Sequence, residues 1–431
     1  MPQKLSNVKY KNLLQFRGFQ PFLYTQFLGA FNDNLFKMVI SLFAVNFGFL
    51  SRHQGSYLSL AGAVFILPFL LFSGYAGYLS DRFNKRTVII VTKSTEILAT
   101  SVGYGVLISG RIEWMLIGLF LMALHSTFFS PAKYGILPEM LAPADLSHAN
   151  GLLEMSTFLA IILGTSMGGI LFGFFKNHSE IIGLILVMIA ISGTLLSFGT
   201  AHVPSPIARI PFQWNPWKET FDGTRKLIQN PKLGAVVLLI SFFWFFGALL
   251  QMDILLFGKE ILNLNELSIG LLGAFLAFGI GIGSLFAGYV SGNRVELGLV
   301  PLGLLGMALL SFLLSFSGFS TLFSSLVLVM LGFAGGLFIV PLNTFLQTNS
   351  PPAEKGRILA TNNFFNMTGV LLSSAILWLF RDKMQMNPAQ ILMISGIVLL
   401  GTAYVLFLRL PDYFIRSKFV LKNFLKLRDL D

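Results

Sequence analysis

Polar side chains interrupt the first apolar stretch of the chain at Gln26, Asn32, Asp33, Asn34 and Lys37. At 100° per residue on a helix, Gln26, Asp33 and Lys37 lie within about 40° of one another and form one polar stripe. An ionisable group at membrane depth costs at least about 2.5 kcal/mol, so it is rare without a role. The stripe is therefore expected to face a cavity and bind a substrate. The alternative is an Asp33–Lys37 ion pair at i,i+4 that only holds helices together.

Further polar groups fall inside later apolar stretches. In the first half these are Lys133 and Glu154, one charge of each sign. In the second half they are Gln251, Asp253, Asn343, Gln347, Asn362, Asn363 and Asn366. Asn343 and Gln347 stand four residues apart on one helix face, which suits either a polar cavity or hydrogen bonds between helices. With 45 Phe in the chain, these groups outline an amphipathic cavity containing charges of both signs.

A short loop between two apolar stretches carries a glycine and a cluster of charges: Gly77, Asp81, Arg82, Lys85 and Arg86. Their spacing resembles the signature loop of the major facilitator superfamily. An acid at a helix end can bind basic residues and a neighbouring helix dipole in one conformation and release them in another, which makes the loop a candidate gate. The alternative is that its basic residues only set membrane orientation. The corresponding loop of the second half, 291–296, lacks the Asp, and we expect a weaker latch there.

The elements that position these residues are expected to be membrane spans. Of the 431 residues, 55% are hydrophobic and 11% charged, against about 25% charged in soluble domains, which excludes a soluble globular protein. Apolar runs long enough to cross a bilayer recur along nearly the whole chain. We predict an all-α membrane protein with twelve spans, at 20–49, 57–80, 87–109, 113–135, 150–175, 180–201, 233–258, 266–291, 297–317, 320–347, 357–381 and 388–410.

The two halves of the chain also look like copies of each other. Residues 76–80 close the second span with Ala-Gly-Tyr-Leu-Ser, and residues 287–291 close the eighth with Ala-Gly-Tyr-Val-Ser. At nearly the same offset, Pro131 in the fourth span matches Pro341 in the tenth. Internal repeats of this kind are typical of transporter folds. The pattern predicts two pseudo-symmetric six-helix bundles, the architecture of the major facilitator fold.

The predicted domains are an N-terminal bundle at 1–201, a cytoplasmic linker at 202–232, a C-terminal bundle at 233–410 and a basic tail at 411–431. In the linker, Asn215 caps a predicted helix whose apolar face carries Trp217, Phe221 and Ile228, as expected at a membrane surface. In the tail, the basic stripe consists of Lys418, Lys422 and Lys426. It favours attraction to anionic lipid, and a docking surface for a cytoplasmic partner is the alternative.

The net charge of +11 is explained by membrane topology rather than by nucleic-acid binding, because the basic residues are concentrated on one predicted side of the membrane. Of the 30 Lys and Arg residues, 21 fall in the N-terminal segment, the linker, the tail and the loops on the same predicted side. By the positive-inside rule that side is the cytoplasm, and both termini are expected there. The first apolar run is too long for a cleavable signal peptide.

No cofactor or metal is expected from the sequence. The chain has no Cys, and its five His have no metal-ligand spacing. Gly279, Gly281 and Gly283 resemble part of a nucleotide-binding loop, but no strand precedes them, so we interpret them as helix-packing positions. We expect a transporter rather than an enzyme.

Two segments resemble bacterial lysophospholipid transporters, a branch of the major facilitator superfamily. They are 26–34, Gln-Phe-Leu-Gly-Ala-Phe-Asn-Asp-Asn, and 129–139, Phe-Ser-Pro-Ala-Lys-Tyr-Gly-Ile-Leu-Pro-Glu. The resemblance implies flipping of lysophospholipid, typically lysophosphatidylethanolamine, from the outer to the inner leaflet of the bacterial inner membrane. There a separate acyltransferase would re-acylate it. Asp33 and Lys133 are the polar positions that match the family, and we expect a monomer.

The residues themselves suit such a substrate. A zwitterionic headgroup needs a positive site for phosphate and a negative site for ammonium, which Lys133 or Lys37 with Asp33 or Glu154 can supply. The main alternative is a proton-coupled exporter of small amphipathic compounds that uses Asp33 or Glu154 as its proton site. A second alternative is a scaffold whose tail recruits an acyltransferase and which transports nothing.

Overall fold

The computed structural model describes residues 10–51, 54–204, 215–316 and 320–428. In this part of the chain all regular structure is helical. The helices are α1 (Tyr10–Gln15), α2 (Phe19–Ser51), α3 (Gln54–Arg82), α4 (Lys85–Ser109), α5 (Ile112–Gly135), α6 (Leu137–Met140), α7 (Leu146–Phe175), α8 (Ser179–Ser197), α9 (Pro216–Gln229), α10 (Pro231–Glu260), α11 (Glu266–Ser291), α12 (Leu299–Ser315), α13 (Thr321–Asn349), α14 (Lys355–Trp378), α15 (Pro388–Arg409) and α16 (Pro411–Arg428).

Twelve of these helices correspond to the twelve predicted spans. By length and hydropathy alone, nine helices of the described residues can cross a membrane. The other three are α2, which carries the polar stripe, α4, which also contains ionisable residues, and α12, which is apolar but only 17 residues long. The twelve-helix architecture predicted from the sequence is therefore confirmed, and its least hydrophobic spans include the one with the candidate site.

The internal repeat is visible at matching places in the two six-helix bundles. Pro131 lies inside α5 and Pro341 inside the equivalent helix α13. A short turn of 3-10 helix precedes α7 at Pro143–Asp145, and another precedes α14 at Pro352–Glu354. The sequence landmarks of the repeat thus mark equivalent structural positions.

Glycines allow the helices of the second bundle to pack at backbone distance. A Cβ added to Gly279 of α11 would lie 2.1 Å from the Val329 carbonyl oxygen of α13, and one added to Gly283 would lie 2.2 Å from that of Phe333. No larger residue fits such contacts without moving a helix. The interpretation of these glycines as packing positions is consistent with this geometry.

The helices α1, α9 and α16 lie outside the twelve spans. Because six crossings separate α1 from α9, and six more separate α9 from α16, all three lie at the same side of the bundles, here called the linker side. Asn215 Oδ1 accepts the Trp217 N–H over 3.0 Å at the start of α9. Trp217, Phe221 and Ile228 are exposed, as a surface-bound helix requires. The Lys426 side chain, and residues 205–214 of the linker, lie outside the described residues.

The two bundles meet near the linker side. There α7 packs against α11, and a Cβ added to Gly151 would lie 2.7 Å from the Ser284 carbonyl oxygen. The Tyr10 hydroxyl of α1 donates to the Leu285 carbonyl of α11. On the other flank α3 packs against α14 through Gly77, where an added Cβ would lie 2.9 Å from the Gly356 carbonyl oxygen. The bundles are therefore closed on this side.

Candidate substrate site and gate

Lys133 lies buried near the centre of the first bundle, at 8% exposure. Its ammonium donates to the Thr157 hydroxyl of α7 over 3.2 Å and lies 5.0 Å from the centre of the Tyr134 ring. The Thr157 hydroxyl in turn lies 3.2 Å from Gln26 Oε1 on α2. Lys133 forms no ion pair with any described residue. A buried ammonium without an anionic partner is costly, which marks it as a site for an anion.

Glu154 of α7 is close to Lys133 but does not pair with it. One carboxylate oxygen, Oε1, accepts the Tyr134 hydroxyl over 3.1 Å and Asn343 Nδ2 over 2.9 Å. The other, Oε2, is buried with no partner among the described residues. Tyr134 contacts both groups, because the Lys133 ammonium lies over its ring and Glu154 accepts its hydroxyl. The cation and the anion each retain unused hydrogen-bonding capacity.

Asp33 lies two helical turns beyond Gln26 along α2, about 10 Å farther from the linker side at 1.5 Å per residue. Its Oδ2 accepts the Ser126 hydroxyl of α5, and its Oδ1 is buried with no partner among the described residues. The neighbouring Asn34 donates to the Ala30 carbonyl over 2.7 Å on its own helix.

The Asp33–Lys37 ion pair, the structural alternative for the polar stripe, is not formed in the described structure. The Lys37 ammonium instead lies over the Phe65 ring of α3, 4.8 Å from its centre, and the side chain is exposed. The residues of the polar stripe also do not face one common site. Gln26 is buried against α7, where its Nε2 donates to the Ser156 hydroxyl over 2.5 Å. Gln26, Asp33 and Lys37 therefore have three different surroundings.

The amides of α13 face the first bundle. Asn343 donates to Glu154, and Gln347 exchanges two hydrogen bonds of 2.9 Å and 2.8 Å with Asn150 of α7. Of the two possibilities left open by the sequence, these two residues therefore make hydrogen bonds between helices. The bonds cross from one bundle to the other.

The remaining second-half candidates are not brought together with Lys133 and Glu154 by any contact among the described residues. On α10, Gln251 is exposed, whereas Asp253 is 1% exposed, and both of its carboxylate oxygens lack a hydrogen-bond partner in the described structure. On α14, Asn362 Oδ1 is buried and equally unpartnered within the described residues. Asn366 accepts the Ser241 hydroxyl of α10 over 2.9 Å, inside the second bundle.

The signature loop, which follows α3 in the chain, forms hydrogen bonds to the start of α14 in the other bundle. Asp81 accepts the backbone N–H groups of Gly356 over 2.5 Å and of Arg357 over 2.8 Å. These are unpaired N–H groups of the first helical turn, where the helix dipole favours an anion. The Arg357 side chain donates to Glu219 of α9 over 2.7 Å. Asp81 thus connects the first bundle to α14, and Arg357 connects α14 to the linker helix.

The basic residues of the loop bind within the first bundle. Lys85 pairs with Glu139 over 2.5 Å, next to Gly135, and Arg86 donates to the carbonyls of Phe198 and Thr200. Arg82 donates to the Tyr78 hydroxyl. In the corresponding loop of the second half, the Ser147 hydroxyl donates across to the Arg294 carbonyl over 3.5 Å, a contact that is uncharged and long.

A charged cluster in the first bundle was missed by the sequence analysis. Glu96 and Lys93 of α4 form a buried ion pair, His125 of α5 lies 3.3 Å from Glu96, and Asn32 donates to Glu96 over 3.0 Å. The signal was available, because Lys93 and Glu96 stand three residues apart within the third predicted span. The same insertion cost that singled out Asp33 applies to both.

Twelve membrane-crossing helices in two repeated bundles, with unpaired charges buried in the first, define a polytopic membrane transporter rather than an enzyme. The chain belongs to the major facilitator superfamily, whose family model matches residues 22–374.

Relatives in bacteria include the "Lysophospholipid transporter LplT" of Escherichia coli strain SE11, 28% identical over 373 residues, or 84% of this chain and 88% of that protein. The protein of the same name from Shigella boydii serotype 4 strain Sb227 is also 28% identical over 373 residues, with the same coverage of both chains.

Similar solved structures share the fold at low sequence identity. The human organic anion transporter MFSD10 superposes with a TM-score of 0.75 at 14% identity, covering 90% of this chain and 99% of that one. The E. coli fucose:proton symporter FucP gives 0.71 at 13% identity, covering 93% and 98%.

Proposed function

We propose that this transporter moves lysophospholipids, lysophosphatidylethanolamine first among them, from the outer to the inner leaflet of the bacterial inner membrane for re-acylation. The observation that carries the proposal is the set of buried charges of both signs that do not neutralise each other by contact. Lys133 has no anionic partner in the described structure, while Asp33 and Glu154 each keep one unpartnered oxygen there. A zwitterionic headgroup supplies both missing partners at once. The name of the bacterial relatives supports this choice.

In this proposal the phosphate binds Lys133 or Lys37, and the ammonium binds Asp33 or Glu154. Charge-assisted hydrogen bonds of this kind are about twice as strong as neutral ones, and they are strongest away from water. Gln26, Asn34, Gln251, Asp253 and Asn362 are the further candidate binding residues.

The single acyl chain would lie against aromatic side chains near the headgroup. Phe158 of the first bundle stacks on Trp244 of the second, with 6.4 Å between ring centres. Phe31 and Phe65 are only partly buried beside Asp33 and Lys37. Apolar surface of this kind favours an acyl chain by roughly 0.8 kcal/mol per methylene removed from water.

Movement would follow alternating access, in which the bundles rock about the site. If the basic linker side is the cytoplasm, the closed linker side makes this conformation outward-facing. Gly77 and Asp81 hold it closed, and Arg82, Lys85 and Arg86 complete the gate by binding the loop to the first bundle. Asn343 and Gln347 serve the gate as well as the site. We also propose that the chain is divided into two bundles, a linker and a tail with the bounds predicted from the sequence. We propose further that the transporter is monomeric and that a cytoplasmic acyltransferase receives the product.

The unpartnered carboxylates of Asp33 and Glu154 also suit a second function, proton-coupled export of small amphipathic compounds. The two functions differ in their need for a proton gradient. Lipid flipping driven by removal of the product needs none, whereas coupled export stops without one.

Binding of lysophosphatidylethanolamine to the purified protein tests the proposal. We expect the wild type to bind the single-chain lipid and to discriminate against the diacyl lipid with the same headgroup. Asp33→Asn and Lys133→Gln should each weaken binding by roughly tenfold or more, because each removes a charge-assisted bond. Lys176→Gln, which alters an exposed Lys outside the proposed site, is the matched control. Unchanged affinity in both folded site variants would refute the headgroup assignment.

A further inference from the structure

The cluster around Glu96 is the largest set of buried charges that the proposed transport cycle leaves unexplained. Both oxygens of Glu96 are occupied. Oε2 binds the Lys93 ammonium and lies 3.3 Å from His125 Nε2, and Oε1 accepts Asn32 Nδ2 over 3.0 Å. The three charged side chains are nearly inaccessible, at 1% for Lys93, 0% for Glu96 and 6% for His125. Such a network is expensive to bury unless its charges balance.

The cluster is joined to Asp33 through consecutive residues on two helices. On α2, Asn32 reaches Glu96 while the next residue, Asp33, faces α5. On α5, His125 reaches Glu96 while the next residue, Ser126, donates to Asp33. Asp33 and the buried cluster are therefore held by the same turn of α2 and the same turn of α5.

The local charges do not balance when His125 is neutral. Lys93 compensates Glu96, which leaves the charge of Asp33 without a contacting cation. One bound proton, on His125 or on Asp33, makes the group neutral. The atoms to receive it are present, because a His125 that donates from Nε2 to Glu96 keeps Nδ1 as an acceptor. His125 Nδ1 and Asp33 Oδ1 are both buried without a hydrogen-bond partner among the described residues.

Among the residues that the structure describes, no other charged group facing the cluster takes over this role. On α2, Lys37 lies over Phe65 and is exposed, and on α5, Lys133 is two turns from Ser126 and bonds Thr157. Glu154 of α7 lies near Lys133. The helix α8 packs on Lys93 with the uncharged Gly193 and Thr194.

We propose that Asp33, Glu96 and His125 form a proton-binding site that holds one proton in the substrate-free protein. When the ammonium of a headgroup binds Asp33, its charge replaces that of the proton, and the proton leaves His125 or Asp33 for water. Glu96 and Lys93 stay paired throughout and hold His125 in place. Binding of a lipid ammonium and binding of the proton are then mutually exclusive. The inference rests on the proposed function and adds a second ligand to its site.

The test is a count of protons released when a short-chain lysophosphatidylethanolamine binds the full-length protein. Calorimetry at one pH in two buffers of different ionisation enthalpy gives that count. Lysophosphatidylglycerol, which lacks the ammonium, serves as the second ligand. The variants are His125→Gln and, as a matched control, His178→Gln, which alters an exposed His outside the cluster that pairs with Glu180.

We expect wild type and His178→Gln to release about one proton per ethanolamine lipid and none with the glycerol lipid. Affinity for the ethanolamine lipid should then fall by up to about tenfold per pH unit on the acidic side of the site's titration. His125→Gln should move the release and the pH dependence of affinity to a different pH range, because Asp33 alone then carries the proton, while binding persists.

Binding of the ethanolamine lipid by wild type without proton release would overturn the inference and leave the proposed function standing, even if His125→Gln does not fold. Equal release with both lipids, or a proton release and pH profile in a folded His125→Gln identical to those of the wild type, would also overturn it. Absence of binding of either lipid at every pH would overturn the proposed function, and the inference with it.

Discussion

Glu154 and Asn343 form a direct hydrogen bond between the two bundles, with Asn343 Nδ2 donating to Glu154 Oε1 over 2.9 Å. The bond connects a candidate headgroup residue on α7 with the closed side of the molecule. It has to break when the bundles separate at the linker side. A substrate that binds Glu154 would compete with Asn343, which provides a physical route from substrate binding to gate opening.

Asn343→Ala is therefore expected to favour opening of the linker side. Loss of a hydrogen bond to a charged group costs roughly 1.5–3 kcal/mol, so the open population should rise by about tenfold or more. Because the chain has no Cys, spin labels attach only at the two introduced positions, Thr87→Cys and Ala353→Cys. The distribution of distances between the two labels reports the opening of the linker side. Asn349→Ala, an exposed position on the same helix that bonds its own backbone, is the control. An identical distribution in Asn343→Ala and the control would contradict the assignment.

Asp81→Asn should weaken the same closed state from the other flank. The substitution keeps the shape but removes the charge that faces the first turn of α14, where two N–H groups point at the carboxylate. We expect a longer label distance on the linker side and a slower transport rate. Asp382→Asn, an exposed acid beyond the other end of α14, should leave both unchanged. If Asp81→Asn has the label distances and the transport rate of the wild type, the loop only sets membrane orientation and is not a gate.

Gly77→Val tests the close approach of α3 to α14. A Cβ at this position would lie 2.7 Å from the Ala360 Cβ, so closure on the linker side should be sterically blocked and transport largely lost. Gly62 on the same helix has no heavy atom within 4 Å of an added Cβ, which makes Gly62→Val the matched control. If both variants fold and transport equally well, the α3–α14 contact is not part of the gate.

The basic tail distinguishes transport from a scaffolding role. Lys418 and Lys422 are exposed on α16, and each should contribute about 1 kcal/mol of attraction to anionic lipid. Lys418→Gln with Lys422→Gln should leave the transport rate unchanged while weakening binding of a tail peptide to anionic vesicles. Loss of transport in the double variant, with normal folding, would show that the tail has a part in the cycle.

The fold was largely predictable from the sequence because hydropathy reports the environment of a span directly. Runs of apolar residues indicated twelve crossings, and the repeated Ala-Gly-Tyr segment related the two halves. The α2 and α4 spans were predicted from the same runs although they carry polar residues, and Gln26 of α2 and Glu96 of α4 bind other protein groups.

The site was predictable only in part, because a sequence identifies costly residues but not their partners. Insertion cost singled out Asp33, Lys133 and Glu154. It did not reveal that Lys37 turns away from Asp33 towards Phe65, nor that Gln347 pairs with Asn150 nearly 200 residues earlier. His125 escaped notice because its partner Glu96 lies on another helix.

The most direct test of lysophospholipid transport uses liposomes that contain only this protein. Movement of a labelled lysophosphatidylethanolamine between leaflets is measured against a labelled diacyl lipid, with and without an imposed proton gradient. We predict transfer of the single-chain lipid alone, at a rate that does not require the gradient. Transfer no faster than in protein-free liposomes, with protein shown to be folded, would contradict the proposed function. Transfer only under a gradient would favour the proton-coupled exporter.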